Sequence, residues 1–173
     1  MKRWLAFAPL VVLAALGLLF GIFALHHDPR VTPEALKGKP APDVTLPKLA
    51  DSTTEHLKAE VKGPTLVNFF ASWCVPCVTE QSALLALKAE GVRIVGVAYK
   101  DKPAATRAFL DRLGDPFAVV LTDTSGDAGV EFGVSGVPET YLIDDTGMIL
   151  DKHTGPLSPQ DAEAMLEKAR RRP

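Results

Sequence analysis

Residues 65–77 read Thr-Leu-Val-Asn-Phe-Phe-Ala-Ser-Trp-Cys-Val-Pro-Cys. Gly63-Pro64 punctuates the chain just before, and residues 65–71 are short, apolar and rich in β-formers, the pattern of a strand buried at a sheet centre. The run leads without a break into two cysteines three residues apart. Outward from this junction the chain alternates. Residues 78–90, carrying Leu84, Leu85 and Leu87, predict a helix that Gly91 ends. Residues 92–99 predict a strand, and residues 103–113 a helix with Pro103 in its first turn and Gly114 after its end. Residues 117–121 predict another strand, followed by a short helix or loop through Gly133. Residues 140–143 and 148–153 flank Asp144-Asp145-Thr146-Gly147 and predict an antiparallel hairpin. Ser158, Pro159 and Asp161 open the last helix as N-cap, first and third residues. Strands alternating with helices and closing on a hairpin give an α/β sandwich around a central mixed sheet.

The chemistry sits at the strand-to-helix junction. A Cys there meets unpaired backbone N–H groups and the positive end of a helix dipole, which favour the thiolate and depress the pKa of Cys74. Pro76 is tolerated in the first helical turn. Cys77 lies one turn on, near enough to close a disulfide, so Cys74 can attack a target disulfide and Cys77 can resolve the mixed disulfide. An inert buried pair or a static disulfide reads similarly, and zinc or copper is a further alternative. Two thiols with the distant His56 and His153 make a poor closed metal site, so no metal and no cofactor is expected. Two cysteines are also too few for a disulfide framework.

Composition narrows the setting. The chain has 173 residues, with 19 Lys plus Arg against 21 Asp plus Glu, a formal charge of −2. That length suits one domain with an appendage and excludes a large multidomain assembly. The balance and the lack of a basic stripe argue against nucleic acid as a partner. Residues 1–25 hold 20 of the apolar residues. Lys2 and Arg3 precede an uncharged run, and the 22 residues from Trp4 to Leu25 would span about 33 Å as a helix, matching a hydrocarbon core of about 30 Å. A retained membrane anchor is therefore expected over residues 1–25. A cleaved signal peptide has a shorter apolar core and a small-x-small cleavage site, whereas Phe20, Ile22, Phe23 and Leu25 end this one. Residues 26–42 hold four prolines and read as a linker, leaving 43–173 as the folded domain. The Lys-Arg pair keeps the N-terminus cytoplasmic and puts the domain on the oxidising side.

Residues 65–77, with Gly136-Val137-Pro138 some sixty residues later, resemble the thioredoxin fold. More narrowly, Val95-Gly-Val-Ala-Tyr-Lys-Asp101 and Gly133-Val-Ser-Gly-Val-Pro-Glu-Thr-Tyr-Leu-Ile-Asp144 resemble the membrane-anchored DsbE/CcmG thiol:disulfide interchange proteins of cytochrome c biogenesis. The resemblance implies a thioredoxin-like sandwich in which Pro138 is cis and faces the Cys pair, with the Val137 backbone receiving substrate as an added strand. It implies an acid–base role for Glu80, three residues after Cys77 and on the same helical face. In many thioredoxins an Asp of the preceding strand does this work, but the matching position is Asn68, which cannot titrate. Glu139 resembles a groove residue of the family, with an exposed loop carboxylate as the plain alternative. Trp73 packs beside the thiol or serves as a core aromatic. Asp101 reads as a helix-start residue, and Pro156 stands where a further acidic groove position is expected.

The function implied is a thiol:disulfide oxidoreductase at the inner membrane, single-pass with its catalytic domain periplasmic. It would reduce disulfides in apocytochrome c, or in a maturation partner with a Cys pair, before haem attachment. Such a dithiol must be re-reduced in an oxidising space, by a membrane donor of DsbD or CcdA type in the resembled family. Other readings are a TlpA/ResA-like reductant with a different substrate, a peroxidase, and a non-enzymatic module binding a haem-site peptide or a metal. Ala71 argues against peroxidase, because a Thr or Ser is expected three residues before the reactive Cys.

Overall fold

A computed structural model describes residues 7–26 and 36–170, without the side chains of residues 8, 23–26 and 169. Two compact units divide the chain, Met1–Pro33 and Glu34–Pro173.

The first unit carries α1 (Ala8–His26), a helix without Asp, Glu, Lys or Arg. Among the described residues no helix is long and apolar enough to cross a membrane. The span expected from Trp4 to Leu25 is not supported as a membrane-crossing helix among the described residues. Its helix starts at Ala8, and Trp4 lies outside the described residues. Leu10, Leu13, Leu18 and Phe20 are exposed.

The second unit is the expected α/β sandwich. Its sheet runs β5 (Val119–Asp123), β4 (Arg93–Tyr99), β3 (Thr65–Phe70), β6 (Glu139–Ile143) and β7 (Ile149–Thr154). β3 pairs parallel with β4 and antiparallel with β6, so the sheet is mixed. Every β3 residue is buried, as its apolar run predicts for a strand covered on both faces. Leu66 and Phe70 point to the face covered by α2 (Val75–Ala89), α3 (Pro103–Leu113) and α5 (Pro159–Arg170). Val67 and Phe69 point to the other, under α4 (Asp127–Glu131) and residues 41–57.

Local details explain where boundaries moved. β5 begins two residues later than the predicted strand. Pro116 offers no N–H, and the Phe117 N–H turns to Asp115 Oδ1 at 2.9 Å, sending the Phe117 ring into the core at 4.7 Å from Phe70. Gly96 on β4 makes room for that ring, because a Cβ there would lie 2.8 Å from it. Ser158 caps α5 as expected: its Oγ donates to Asp161 Oδ2 at 2.5 Å and accepts from the Asp161 N–H at 3.2 Å.

Two features differ from the sequence reading. A hairpin of β1 (Thr45–Pro47) and β2 (Thr54–His56) precedes the sheet. The stretch read as linker also joins the body before residue 43. The Gly38 N–H donates to the Ile149 carbonyl, the Ile149 N–H to the Lys39 carbonyl, and Ala41 is buried. This backbone edges β7 with hydrogen bonds that residues 26–42 could not be expected to make from their proline content alone.

Candidate active site

β3 ends at Phe70, and the corner 71–73 turns the chain into α2, whose N-cap is Cys74. Cys74 is extended, at φ −87° and ψ 110°, and its Sγ accepts the Cys77 N–H at 3.1 Å. Pro76 removes one donor from the first turn, which contains no acidic residue. The sulfur thus faces backbone N–H groups and the dipole's positive end without a competing charge, the setting that stabilises a thiolate. Cys74 and Cys77 are joined as a disulfide with Cα atoms 5.3 Å apart, and both are nearly buried.

Trp73 is not a core aromatic. It is 59% exposed, with its indole N–H donating to the Lys100 carbonyl at 3.2 Å. With the exposed Val75 and Val78 it forms an apolar rim around an otherwise covered pair.

The corner itself is held by Asp101, which is buried. Its carboxylate accepts the Lys102 N–H, as a helix-start residue would, and also the Ser72 N–H at 2.7 Å, Ser72 Oγ at 2.9 Å and Thr106 Oγ1 at 2.9 Å. The sequence reading found the first role and missed the clamp on Ser72. No local signal marks a partner 29 residues away.

Facing the pair is the Val137–Pro138 bond, which is cis. The Val137 carbonyl oxygen lies 3.5 Å from Cys74 Sγ, and the Pro138 carbonyl accepts the Gly155 N–H at 2.9 Å. Val137 is half-buried, so its backbone can meet a chain laid across Cys74.

Glu80 lies one turn after Cys77 on the same buried face of α2. It is 2% exposed, with Oε1 accepting from Asn68 Nδ2 at 3.0 Å and Oε2 from the Leu157 N–H at 2.9 Å. Burial pushes its pKa up to about 7, opposed by these two hydrogen bonds. A carboxyl with a raised pKa, one helical turn after Cys77 on the buried face of α2, suits proton exchange. Pro156, at the expected acidic groove position, instead turns its carbonyl to His153 at 3.3 Å.

Glu139 requires a correction. It is neither a groove residue nor an exposed loop carboxylate. As the first residue of β6 it shares the face of Tyr141 and Ile143, opposite α2, and is fully buried. It pairs with Lys152 at 2.9 Å and accepts from Ser135 N, Ser135 Oγ and Tyr141 Oη. Its neighbours explain its burial: the network braces the loop before Pro138 from behind. The structure brings Cys74, Cys77, Glu80, Val137 and Pro138 together, sets Trp73 at the rim, and leaves Glu139 on the far side of the sheet. Among the described residues no group of three or more His, Cys, Asp or Glu side chains could hold a metal ion.

Comparison with known proteins fits this geometry. Residues 36–168 match the Redoxin family. The thiol:disulfide interchange protein HelX of Rhodobacter capsulatus is 41% identical over 163 residues, covering 91% of this chain and 90% of that protein. The thiol:disulfide interchange protein DsbE of Escherichia coli K12 is 39% identical over 167 residues, covering 92% and 90%. A crystal structure of a DsbE-type thiol:disulfide interchange protein from Chlorobium tepidum superposes with a TM-score of 0.64 at 31% identity, over 76% of this chain and 94% of the other.

Proposed function

This chain belongs to the Redoxin family, in its DsbE/CcmG branch of thiol:disulfide interchange proteins, and from that premise we propose that it works as a reductant. Thiol:disulfide exchange is its chemistry, on a thioredoxin-like α/β fold. Its substrate is a disulfide in apocytochrome c, or in a maturation partner carrying a Cys pair, opened before haem attachment. The supporting observation is the Cys74–Cys77 pair at the N-terminus of α2, with the Val137 carbonyl 3.5 Å from Cys74 Sγ.

In the reductive direction the Cys74 thiolate attacks one sulfur of the target disulfide and the other target sulfur leaves as a thiolate. Val137 and Pro138 hold the target strand and Trp73 covers the entry. Cys77 then attacks Cys74 Sγ, expelling the second target sulfur and closing the pair seen here. Glu80 takes the Cys77 proton as that attack begins. Two electrons pass to the target, so each turnover leaves a disulfide that a dithiol donor must reopen. A membrane protein of DsbD or CcdA type fits that need. Residues 1–25, which hold most of α1, form an inner-membrane anchor, and the catalytic body is periplasmic. The exposed apolar side chains of α1 support this placement.

The test is to trap partners with Cys77→Ala and to measure the potential of the pair. A mixed disulfide at Cys74 with a Cys-x-x-Cys-His protein, and a potential near or below about −270 mV, are expected. A potential near about −120 mV would make the chain an oxidant instead.

A further inference from the structure

The environment of Glu80 contains a mismatch that its titration makes significant. Both carboxylate oxygens are met by donors only: Oε1 by Asn68 Nδ2 and Oε2 by the Leu157 N–H. That arrangement suits an ionised carboxylate. A protonated one adds an O–H with no acceptor among these partners, in a site where an unsatisfied polar group is costly. The Leu157 N–H is backbone and cannot reverse its role. Asn68 can, because its amide oxygen and nitrogen are nearly equal in shape and χ2 of Asn is broad and roughly two-fold. Asn68 is fully buried, and its Oδ1 is a buried polar atom without a hydrogen-bond partner. The other acceptor of Nδ2, Thr140 Oγ1 at 3.1 Å, is a hydroxyl that can equally donate.

We infer that Asn68 is a reversible positioning residue for proton exchange: it presents Nδ2 to Glu80 and Thr140 when the carboxyl is ionised, and turns over to present Oδ1 to both when the carboxyl is protonated. Each bond is kept with its direction reversed. The Glu80 O–H then donates to Oδ1, the Thr140 hydroxyl donates to Oδ1, and Nδ2 moves to the position that Oδ1 had occupied, so the one unpartnered place beside Asn68 holds an amide nitrogen instead of an amide oxygen. An Asp at this position would add a second negative charge to a buried site. Asn instead serves both protonation states of one carboxyl and adds no charge. The inference rests on the acid–base reading of Glu80 and names the residue that lets it hold and release a proton without losing its place.

Few charged groups face this carboxyl. From its own helix come Cys74 and Cys77, which hold no proton as a disulfide. β3 and β6 contribute the uncharged Asn68 and Thr140 on this face, while Glu139 and Lys152 pair on the other. Past Leu157, His153 is turned to the Pro156 carbonyl and Asp161 to Ser158.

The experiment follows the full-length disulfide-bonded chain in detergent micelles by NMR from about pH 5 to pH 9, with labelled Glu side-chain carboxyl carbons and Asn side-chain amides. The Glu80 carboxyl carbon is expected to titrate, with the Asn68 Nδ2 resonance moving at the same midpoint and its protons losing their nuclear Overhauser contacts to Thr140 at low pH. An Asn68 amide whose shift and contacts stay constant while Glu80 titrates overturns the turnover and leaves the acid–base reading intact. A Glu80 carbon that does not titrate in this range overturns both.

Discussion

Glu80 and Glu139 are both buried carboxylates beside the strand pair β3–β6, on opposite faces of one sheet. Glu139 faces Lys152 at 2.9 Å and has three further donors. Glu80 has two neutral donors, and burial lifts its pKa to about 7. The two differ in the cation. Glu139 has a paired ammonium and braces the loop before Pro138, whereas Glu80 has none and burial raises its pKa, which suits moving a proton.

The same substitution at both sites breaks this comparison most severely. Glu139→Gln withdraws the carboxylate opposite Lys152, whose side chain is 10% exposed, and is expected to cost about 3 kcal/mol, the low end for breaking a buried pair. Urea unfolding at neutral pH measures it; a loss under about 1 kcal/mol would make the pair dispensable.

Glu80→Gln is expected to do the opposite above neutrality. The folded pKa of about 7 lies above the ordinary glutamate value of 4.5, so around neutral pH the native state holds a proton that the unfolded chain has released. Stability is therefore fully present below about pH 4.5 and is lost as pH rises through about 7, by up to about 3 kcal/mol at about 1.4 kcal/mol per pKa unit. The Gln variant lacks this loss, so unfolding curves at pH 5 and pH 8 should diverge only for the native residue. Parallel pH dependences would mean that Glu80 is ionised throughout.

Asp101→Ala tests the clamp on the reactive corner. Losing the bonds to Ser72, Lys102 and Thr106 should destabilise by about 2 kcal/mol. It should also slow exchange in folded protein, as stopped-flow reaction with a model disulfide would show. Unchanged rates would confine Asp101 to the start of α3. The smallest effect on stability is expected at Trp73→Ala. An exposed side chain with one hydrogen bond contributes under about 1 kcal/mol, and the variant should instead weaken capture of a protein substrate.

The fold was legible where side-chain pattern and backbone punctuation agree. Thr65–Phe70 carries apolar residues on both faces and lies between Gly63-Pro64 and the Cys pair, so the sequence alone marks the central strand and the helix after it. The β1–β2 hairpin has three residues per strand, too few to show a period. In the site, Cys74, Cys77 and Pro138 follow from local spacing and the family resemblance. For Glu139 the family resemblance points to the groove, whereas strand alternation points the other way: it shares a face with Tyr141 and Ile143, not with Thr140 and Leu142. The Asp101 clamp and the Asn68–Glu80 bond join residues far apart in the chain, and no local pattern encodes them.

The most direct measurement is the pH profile of the reaction between the reduced chain and a model disulfide, compared for the native protein and Glu80→Gln. An inflection near the Glu80 pKa of about 7 is expected in the native profile, with the Gln variant losing it and showing a lower apparent pKa for the thiol pair. Superimposable profiles would contradict a proton-carrying role for Glu80 and reduce it to a buried structural carboxyl.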